Sequence, residues 1–213
     1  PVSSSPVTSS MPGHSDHLQR IESYIIIGRF RHELVRPSGK CGLIYGNRGD
    51  DVLYGNLDRD TLYGGADNDT VFGGSDNDIV FGNIGADSLV GGIGNDLLHG
   101  GQGTDTVQGG DGADTINGGV NDDLLSGGGG ADVFELSTSN GHDTIADFSH
   151  GVDIIRLARN LNNSGIGDAA TLIATRTSSD GAGHAVIDLG DSHQVTLLGV
   201  ARSTLTAADF AFI

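Results

Sequence analysis

The chain of 213 residues carries a net charge of −17, contains 36 glycines and has only 5% aromatic residues. This acidity excludes nucleic acid and anionic membrane surfaces as partners, because both would be repelled electrostatically. The apolar runs are shorter than the roughly 18 residues that a membrane span needs. The single cysteine, Cys41, excludes an intramolecular disulfide framework.

The first 37 residues form an amino-terminal segment in the predicted organisation. Residues 1–14 are rich in Ser and Pro, which is typical of a disordered segment or a junction. They lack the charged and apolar regions of a cleavable signal peptide. Over 15–37 the pattern is mixed, since Leu18 and Ile21 share a helical face whereas the run Ile25-Ile26-Ile27 favours a strand. We expect a helix or an irregular cap there.

Ten consecutive nine-residue repeats fill residues 46–135. Place one is always glycine and place two is glycine or asparagine. Place eight is always apolar: Leu53, Leu62, Val71, Val80, Leu89, Leu98, Val107, Ile116, Leu125 and Phe134. Place six is always aspartate: Asp51, Asp60, Asp69, Asp78, Asp87, Asp96, Asp105, Asp114, Asp123 and Asp132. A structural unit must therefore recur every nine residues.

Each repeat is predicted to be a six-residue turn followed by a three-residue strand. Glycine at places one, two and four permits positive φ, and asparagine at place two tolerates it. Places seven to nine are rich in β-branched and aromatic residues, and alternation along the strand directs place eight inward. Two repeats make one coil of 18 residues, so the ten repeats predict a right-handed parallel β-roll of about five coils.

A hard cation is needed to hold this roll together. One core side chain per repeat buries little apolar surface, whereas ordering the turns costs on the order of 1–2 kcal/mol of backbone entropy per residue. Aspartates 18 residues apart stack on one edge, and carboxylates about 4.8 Å apart repel unless positive charge lies between them. Calcium binds six to eight oxygens, including carboxylates and main-chain carbonyls.

Two columns of five turns enclose four gaps each, so we expect up to about eight Ca²⁺ ions. The predicted ligands are the place-six aspartates together with glycine carbonyls. Those glycines are Gly46, Gly49, Gly55, Gly64, Gly73, Gly82, Gly85, Gly91, Gly94, Gly100, Gly103, Gly109, Gly112, Gly118 and Gly127. The nine-residue frame also extends backward through Ile44, without aspartate, so 38–45 is predicted as a calcium-free capping turn that ends in the strand Leu43-Ile44-Tyr45.

The repeats resemble those of the RTX family, the calcium-binding β-roll proteins exported by bacterial type I secretion. This resemblance implies a secreted or cell-surface protein that folds on calcium after leaving through a type I exporter. Place four departs from the family glycine at Asp58, Asp67, Asp76 and Asn121. Arg59 adds a positive charge beside a predicted site.

Residues 136–213 are predicted as a carboxyl-terminal β cap. The segment GHDTIADFSHGVDIIRL at 141–157 resembles the one that follows the roll in serralysin-like exoproteins. Two readings stay open for its acids: they join further calcium sites, or they cap turns. These acids are Asp143, Asp147 and Asp153. Three strands are expected at 171–175, 185–189 and 194–198, joined by hairpin turns. By resemblance, the carboxyl-terminal region also carries an uncleaved export signal, and a final edge strand is compatible with it.

No catalytic centre is recognisable, so we expect a protein that is not an enzyme. The eight histidines form no HExxH motif, and no GxSxG sequence occurs. Three readings of function remain: a calcium-dependent folding and export module, a polysaccharide-binding or adhesive tail of a larger exoenzyme, and a self-assembling surface protein. Place nine bears on the last reading, because its aromatic residues are predicted to form apolar ladders. Tyr45, Tyr63 and Phe81 lie on one face, and Tyr54, Phe72 and Val90 on the other. We expect the amino-terminal segment of the same chain to cover one ladder, and self-association is the alternative for the other.

Overall fold

In the computed structural model, the described residues are 42–136, 141–159 and 167–213, together with the backbone of 24–27 and 34–35. Only 8% of the described residues are helical, and the fold is an all-β parallel solenoid of about six turns followed by a small β region. No helix among these residues is long and apolar enough to cross a membrane.

The described residues form strands β1 to β19 in chain order. In the roll they are Tyr24–Ile27, Leu34–Val35, Gly42–Arg48, Val52–Asn56, Thr61–Ala66, Thr70–Ser75, Ile79–Ile84, Ser88–Ile93, Leu97–Gln102, Thr106–Asp111, Thr115–Val120, Leu124–Gly129 and Val133–Leu136. Those that follow are His142–Ile145, Ile154–Leu157, Thr177–Ser179, Ala185–Gly190, His193–Leu197 and Phe210–Phe212. One α-helix, α1, covers Ala169–Thr175, and two short 3-10 helices cover Arg202–Thr204 and Ala207–Asp209.

Alternate strands belong to opposite sheets, as the 18-residue coil predicts. One sheet contains β1, β3, β5, β7, β9, β11, β13, β15 and β19 in that spatial order. The other begins at β2, continues through the even strands to β14, and ends with β18, β17 and β16. The register is regular: Leu62 pairs with Val80 in the first sheet, and Leu53 with Val71 in the second. The predicted parallel roll is confirmed.

The core is a single file of place-eight side chains between the two sheets. Leu53, Leu62, Leu89 and Leu98 are all fully buried. The file continues into the cap through Ile145. Since strand side chains alternate, places seven and nine of these strands face outward.

The strands are longer than the three residues predicted. In β5 to β12 each strand has six residues, covering places seven to nine and then places one to three of the next repeat. The turn proper is thus places four to six. Place one interrupts the pairing, since Tyr63 pairs with Phe81 and Gly65 with Asn83.

The roll begins earlier than the first aspartate repeat. Strand β1 pairs with β3 through Ile26 and Ile44, and β2 pairs with β4 through Val35 and Leu53. The expectation of a helix or irregular cap was wrong for these two segments, because Ile26 and Val35 also fall at place eight of the nine-residue frame and this frame outweighs the helical spacing. The predicted strand ending at Tyr45 lies within β3.

The cap continues both sheets and adds an antiparallel hairpin. Strand β14 extends one sheet, and β15 with β19 extends the other. The predicted strands 185–189 and 194–198 correspond to β17 and β18, which pair antiparallel. The strand predicted at 171–175 is wrong: these residues lie in α1, whose amino terminus is capped by Asp168 accepting from the Thr171 N–H at 2.8 Å. Strand β16 takes that place beside β17.

Candidate metal sites along the roll

The place-six aspartates form two buried columns that we call the first and second columns. The first contains Asp51, Asp69, Asp87, Asp105 and Asp123, and the second Asp60, Asp78, Asp96, Asp114 and Asp132. All ten are buried, with at most 3% of their surface exposed. Within each column, the backbone N–H of one aspartate donates to Oδ1 of the next: Asp69 to Asp87 at 2.7 Å, and Asp78 to Asp96 at 2.7 Å. One carboxylate oxygen per aspartate is thereby used to join successive coils.

The second carboxylate oxygen, Oδ2, does not join successive coils. From Asp60 to Asp132, the Oδ2 atom of every place-six aspartate is buried and accepts no hydrogen bond from the described residues. A buried carboxylate oxygen without a donor or a cation is strongly unfavourable. The folded roll therefore requires positive charge at these atoms.

The pKa values of the aspartates in the columns show the same need for positive charge. Burial raises the pKa of Asp69 and Asp78 to about 7 and that of Asp123 to about 8; a backbone N–H partly offsets this, and neighbouring carboxylates add to it. Burial likewise raises the pKa to about 6 at Asp60, Asp105 and Asp114. Without metal, the folded roll would hold protons at a pH where free aspartate is ionised.

The place-one glycines form the wall of a cradle around each Oδ2 atom. A Cβ on Gly73 would lie 2.6 Å from both Asp78 Oδ2 and the carbonyl oxygen of Gly91. The same two kinds of oxygen converge at eight place-one glycines, and the last two, Gly118 and Gly127, meet only the carboxylate. Of the two properties for which glycine is expected, place one uses the close approach and not the positive φ: Gly73 has no positive φ, so the glycine provides space.

Places two and four do adopt positive φ. Asn47 and Asn83 at place two have φ of 82° and 80°, and Gly85 at place four has 147°. At Gly94 a Cβ would contact the Asp76 carbonyl of the preceding coil, so place-four carbonyls also point along the stack. The four departures from glycine keep this conformation at Asp58, Asp67, Asp76 and Asn121, whose φ values lie between 68° and 85°.

The donor set suits calcium. Among the described residues, no three His, Cys, Asp or Glu side chains cluster closely enough to hold an ion alone. Backbone carbonyls must therefore complete any site, and calcium accepts mixed carboxylate and carbonyl coordination. The structure brings the predicted place-six carboxylates and place-one carbonyls together at the cradles, whereas the predicted place-four carbonyls lie against the place-four residues of the next coil. Arg59, which precedes Asp60 in the chain, is exposed.

The columns end in the cap without free acceptors. Asp143 continues the first column, and its Oδ1 accepts the Asp123 N–H at 3.1 Å while its Oδ2 lies 3.1 Å from Nε2 of His193. Asp153 continues the second column, where its Oδ1 accepts from Asp132 at 3.0 Å and its Oδ2 accepts the Ser149 N–H at 2.7 Å. For these acids the geometry favours the turn-capping reading.

Asp147 behaves in the same way as those two acids. Its carboxylate accepts the N–H groups of Gly127 and Gly128, both at 2.9 Å, and the Ser126 hydroxyl at 2.6 Å. Sequence reasoning did not single out His193 for a role here. It lies 50 residues from Asp143, outside any repeat spacing.

The outer faces carry the expected aromatic ladders. Tyr45 and Tyr63 stack with ring centroids 4.9 Å apart, and Tyr63 and Phe81 with centroids 5.0 Å apart. On the other sheet, Tyr54 and Phe72 stack at 4.8 Å. All five rings are half-buried.

Comparison with known proteins identifies the repeats. A profile for the RTX calcium-binding nonapeptide repeat (4 copies) matches in overlapping windows at 45–80, 63–98, 72–107, 81–116 and 99–134. Residues 45–134 belong to the RTX repeat family. The RTX repeats are calcium-binding, which agrees with the donor set of the two columns. No curated protein matches this chain.

Two solved structures are similar to this chain. The chain is 26% identical to the AlgE6R3 subunit of the Azotobacter vinelandii mannuronan C5-epimerase, with a TM-score of 0.39, covering 77% of this chain and 80% of that one. It is 17% identical to the extracellular lipase LipA from Serratia marcescens, with a TM-score of 0.35 over 87% of this chain. The chain spans only 40% of the lipase's length.

Proposed function

We propose that this chain is a calcium-dependent folding and export module of a secreted bacterial protein, and that it has no catalytic activity of its own. The observation that carries the proposal is the pair of aspartate columns, in which the Oδ2 atoms from Asp60 to Asp132 are buried and accept no hydrogen bond from the described residues. Such columns stabilise the roll only when a cation is present. Folding is therefore coupled to the calcium concentration outside the cell.

Each part of the repeat has one task in this mechanism. The place-six carboxylates supply charge, and their Oδ1 atoms hold the next coil at its N–H group. Place-one glycine leaves room beside Oδ2 where a cation would be held, and the place-one carbonyls of the neighbouring coil would supply further oxygens. Calcium supplies the positive charge that the carboxylates and carbonyls cannot provide. The eight cradles support up to about eight ions.

Calcium affinity sets where the chain folds. Extracellular calcium modules often bind with a Kd of about 10⁻⁴–10⁻³ M, far above cytosolic calcium concentrations. Before export the chain would then remain largely unfolded, as passage through a type I exporter requires. The export signal itself is proposed to lie in the last ~50–60 residues by resemblance to the RTX family. Deleting residues 158–213 should abolish secretion through a type I exporter while repeat-driven calcium binding remains.

Circular dichroism with and without a chelator tests the main proposal. We expect the β spectrum to appear cooperatively as calcium is added, and magnesium to be much less effective because it prefers small octahedral sites with retained water. A β spectrum that is unchanged by removal of all divalent cations would refute the proposal.

The aromatic ladders support self-association as a second candidate function. Five stacked, half-buried rings form two apolar strips on the outer sheets at the amino-terminal end of the roll. Exposed apolar strips of this kind usually mark contact surfaces. In calcium, the native chain should associate with rising protein concentration in light scattering, and Tyr63→Ser together with Phe72→Ser should reduce that association. A native chain that stays monomeric at high protein concentration in calcium would contradict this candidate, and binding of a polysaccharide would then be tested on the same strips.

A further inference from the structure

The first column does not stop at the last repeat. Strand β14 pairs in parallel with β12, which places Thr144 beside Leu124 and therefore Asp143 beside Asp123. Asp143 is 4% exposed, and its Oδ1 accepts the Asp123 N–H as in every preceding step of the column. Up to this oxygen, Asp143 repeats the geometry of the roll.

The second oxygen of Asp143 differs from those of the roll. Its Oδ2 lies 3.1 Å from Nε2 of His193, whose side chain is fully buried. Since an ionised carboxylate can only accept, Nε2 carries a hydrogen and donates to it. In the repeats from Asp60 to Asp132 the corresponding Oδ2 atom has no donor among the described residues.

The hairpin of the cap delivers His193 to this position. Asp191 and Ser192 in the β17–β18 turn have positive φ of 48° and 66°, which permits a tight turn. Strand β18 then runs parallel to β14, with Gln194 paired to His142. His193 is the first residue of β18 and lies beside the end of the column.

The second column ends by different means. Oδ2 of Asp153 accepts the backbone N–H of Ser149. A backbone donor is available from almost any residue at that position, whereas the first column depends on one side chain. The two columns therefore differ in how a substitution can affect them.

We infer that His193 is a positioning residue. At the end of the first column its Nε2–H group satisfies the Oδ2 atom of Asp143 in place of a cation, and it thereby joins the cap to the roll without metal. The inference rests on the proposed function, because it assigns the preceding Oδ2 atoms to calcium. It predicts that His193 is needed for its donor group and not for its volume.

Substitutions that separate the donor from the ring test this inference. In His193→Gln the amide can place a donor near the position of Nε2, whereas His193→Phe keeps an aromatic ring without any donor. In urea unfolding at saturating calcium, we expect His193→Phe to lower the equilibrium constant of folding roughly ten- to a hundredfold, since it leaves a buried carboxylate oxygen unsatisfied. His193→Gln should lower it less than about threefold.

Two further variants make the result specific. His184→Phe alters another histidine of the cap, whose Nδ1 accepts the Gly199 N–H, and should leave the joint to the column intact. In an Asp143→Ala background, His193→Phe should have a much smaller effect, because the acceptor is gone. Equal losses for Gln and Phe at 193, or an equal effect of His193→Phe with and without Asp143, would overturn the inference.

The calcium response of the native protein distinguishes failure of this inference from failure of the proposed function. Absence of any calcium response in the native protein would refute the proposed function. A normal calcium response together with a tolerated His193→Phe would refute only the part assigned to His193.

Discussion

Asp87 in the roll and Asp209 in the cap are both fully buried aspartates, but their carboxylates have different surroundings. Asp87 accepts one backbone N–H at Oδ1, and its Oδ2 has no donor among the described residues. Asp209 accepts the N–H groups of Gly151 and Thr206 and lies 2.8 Å from Nδ1 of His150. One carboxylate is incomplete and the other is fully satisfied by the protein.

The pKa values of the two groups move in opposite directions. Burial raises the pKa of Asp87, and the backbone N–H offsets this only in part. For Asp209, burial also acts to raise the pKa, but hydrogen bonds from Thr206, Gly151 and His150 together bring it below the usual value. Burial alone therefore does not make a metal site. Carboxylates such as that of Asp87 need a cation because Oδ2 lacks a hydrogen-bond donor among the described residues, whereas the carboxylate of Asp209 is satisfied by donors of the protein.

Replacing an aspartate of the roll, Asp87, is expected to reduce stability far more than replacing an aspartate of the cap. Asp87→Ala removes the Oδ2 atom of the cradle at Gly82 and leaves the Asp69 N–H without its acceptor, which should cost about 3 kcal/mol or more of stability in calcium. Asp188→Ala breaks a half-exposed pair with Arg176 at 3.1 Å and should cost less than about 1 kcal/mol. Calcium titrations followed by circular dichroism compare the two, and equal midpoints would show that the column is not the binding element.

Filling a cradle should have the next largest effect. A Cβ on Gly82 would lie 2.5 Å from the Gly100 carbonyl oxygen and would also contact Asp87 Oδ2. Gly82→Ala therefore crowds the metal position, and because Gly82 has no positive φ the substitution adds no backbone strain. We expect about 2 kcal/mol of destabilisation from this overpacking and weaker calcium binding in isothermal titration. Gly181→Ala in the cap has nothing within 4 Å and serves as the control. A Gly82→Ala roll that binds calcium like the native one would place the ion elsewhere.

Acidification should partly replace calcium in the roll. The pKa values of Asp69 and Asp78 are raised to about 7 in the folded state from 3.8. Neutral carboxyls therefore stabilise the metal-free fold fully below pH about 4, and this contribution is lost as the pH rises through about 7. Metal-free chain, prepared on a chelating resin, should gain β structure by circular dichroism as the pH falls from 8 to 5.

The matched control for this effect is a pair of asparagine substitutions. Asp69→Asn with Asp78→Asn removes two of the titrating groups and should flatten the pH profile, whereas Asp188→Asn should not change it. A metal-free chain that loses β structure on acidification would contradict the sign of the pKa shifts.

The regular part of this molecule was predictable from sequence because one short rule repeats. Place-eight apolar residues specify the core, and place-six aspartates specify the columns, since each acts only on the coils above and below. The cap has no such rule. Residues 171–175 alternate like a strand, yet they form α1, whose amino terminus is capped by Asp168. His193 meets Asp143 through tertiary pairing alone.

The smallest expected effect concerns place four, where the roll tolerates residues other than glycine. Asn121 has a φ of 85°, a conformation that asparagine adopts more readily than alanine does. If place four contributes only its backbone, Asn121→Gly should change stability by no more than a few tenths of a kcal/mol, and Asn121→Ala should cost about 1 kcal/mol. Asp191 in the cap hairpin, with a φ of 48°, offers the comparison outside the metal columns, and Asp191→Gly should be equally mild. Urea unfolding in calcium measures all three. A large loss for Asn121→Gly would show that the side chain at place four takes part in the site, and the difference between roll and cap would then extend from place six to place four.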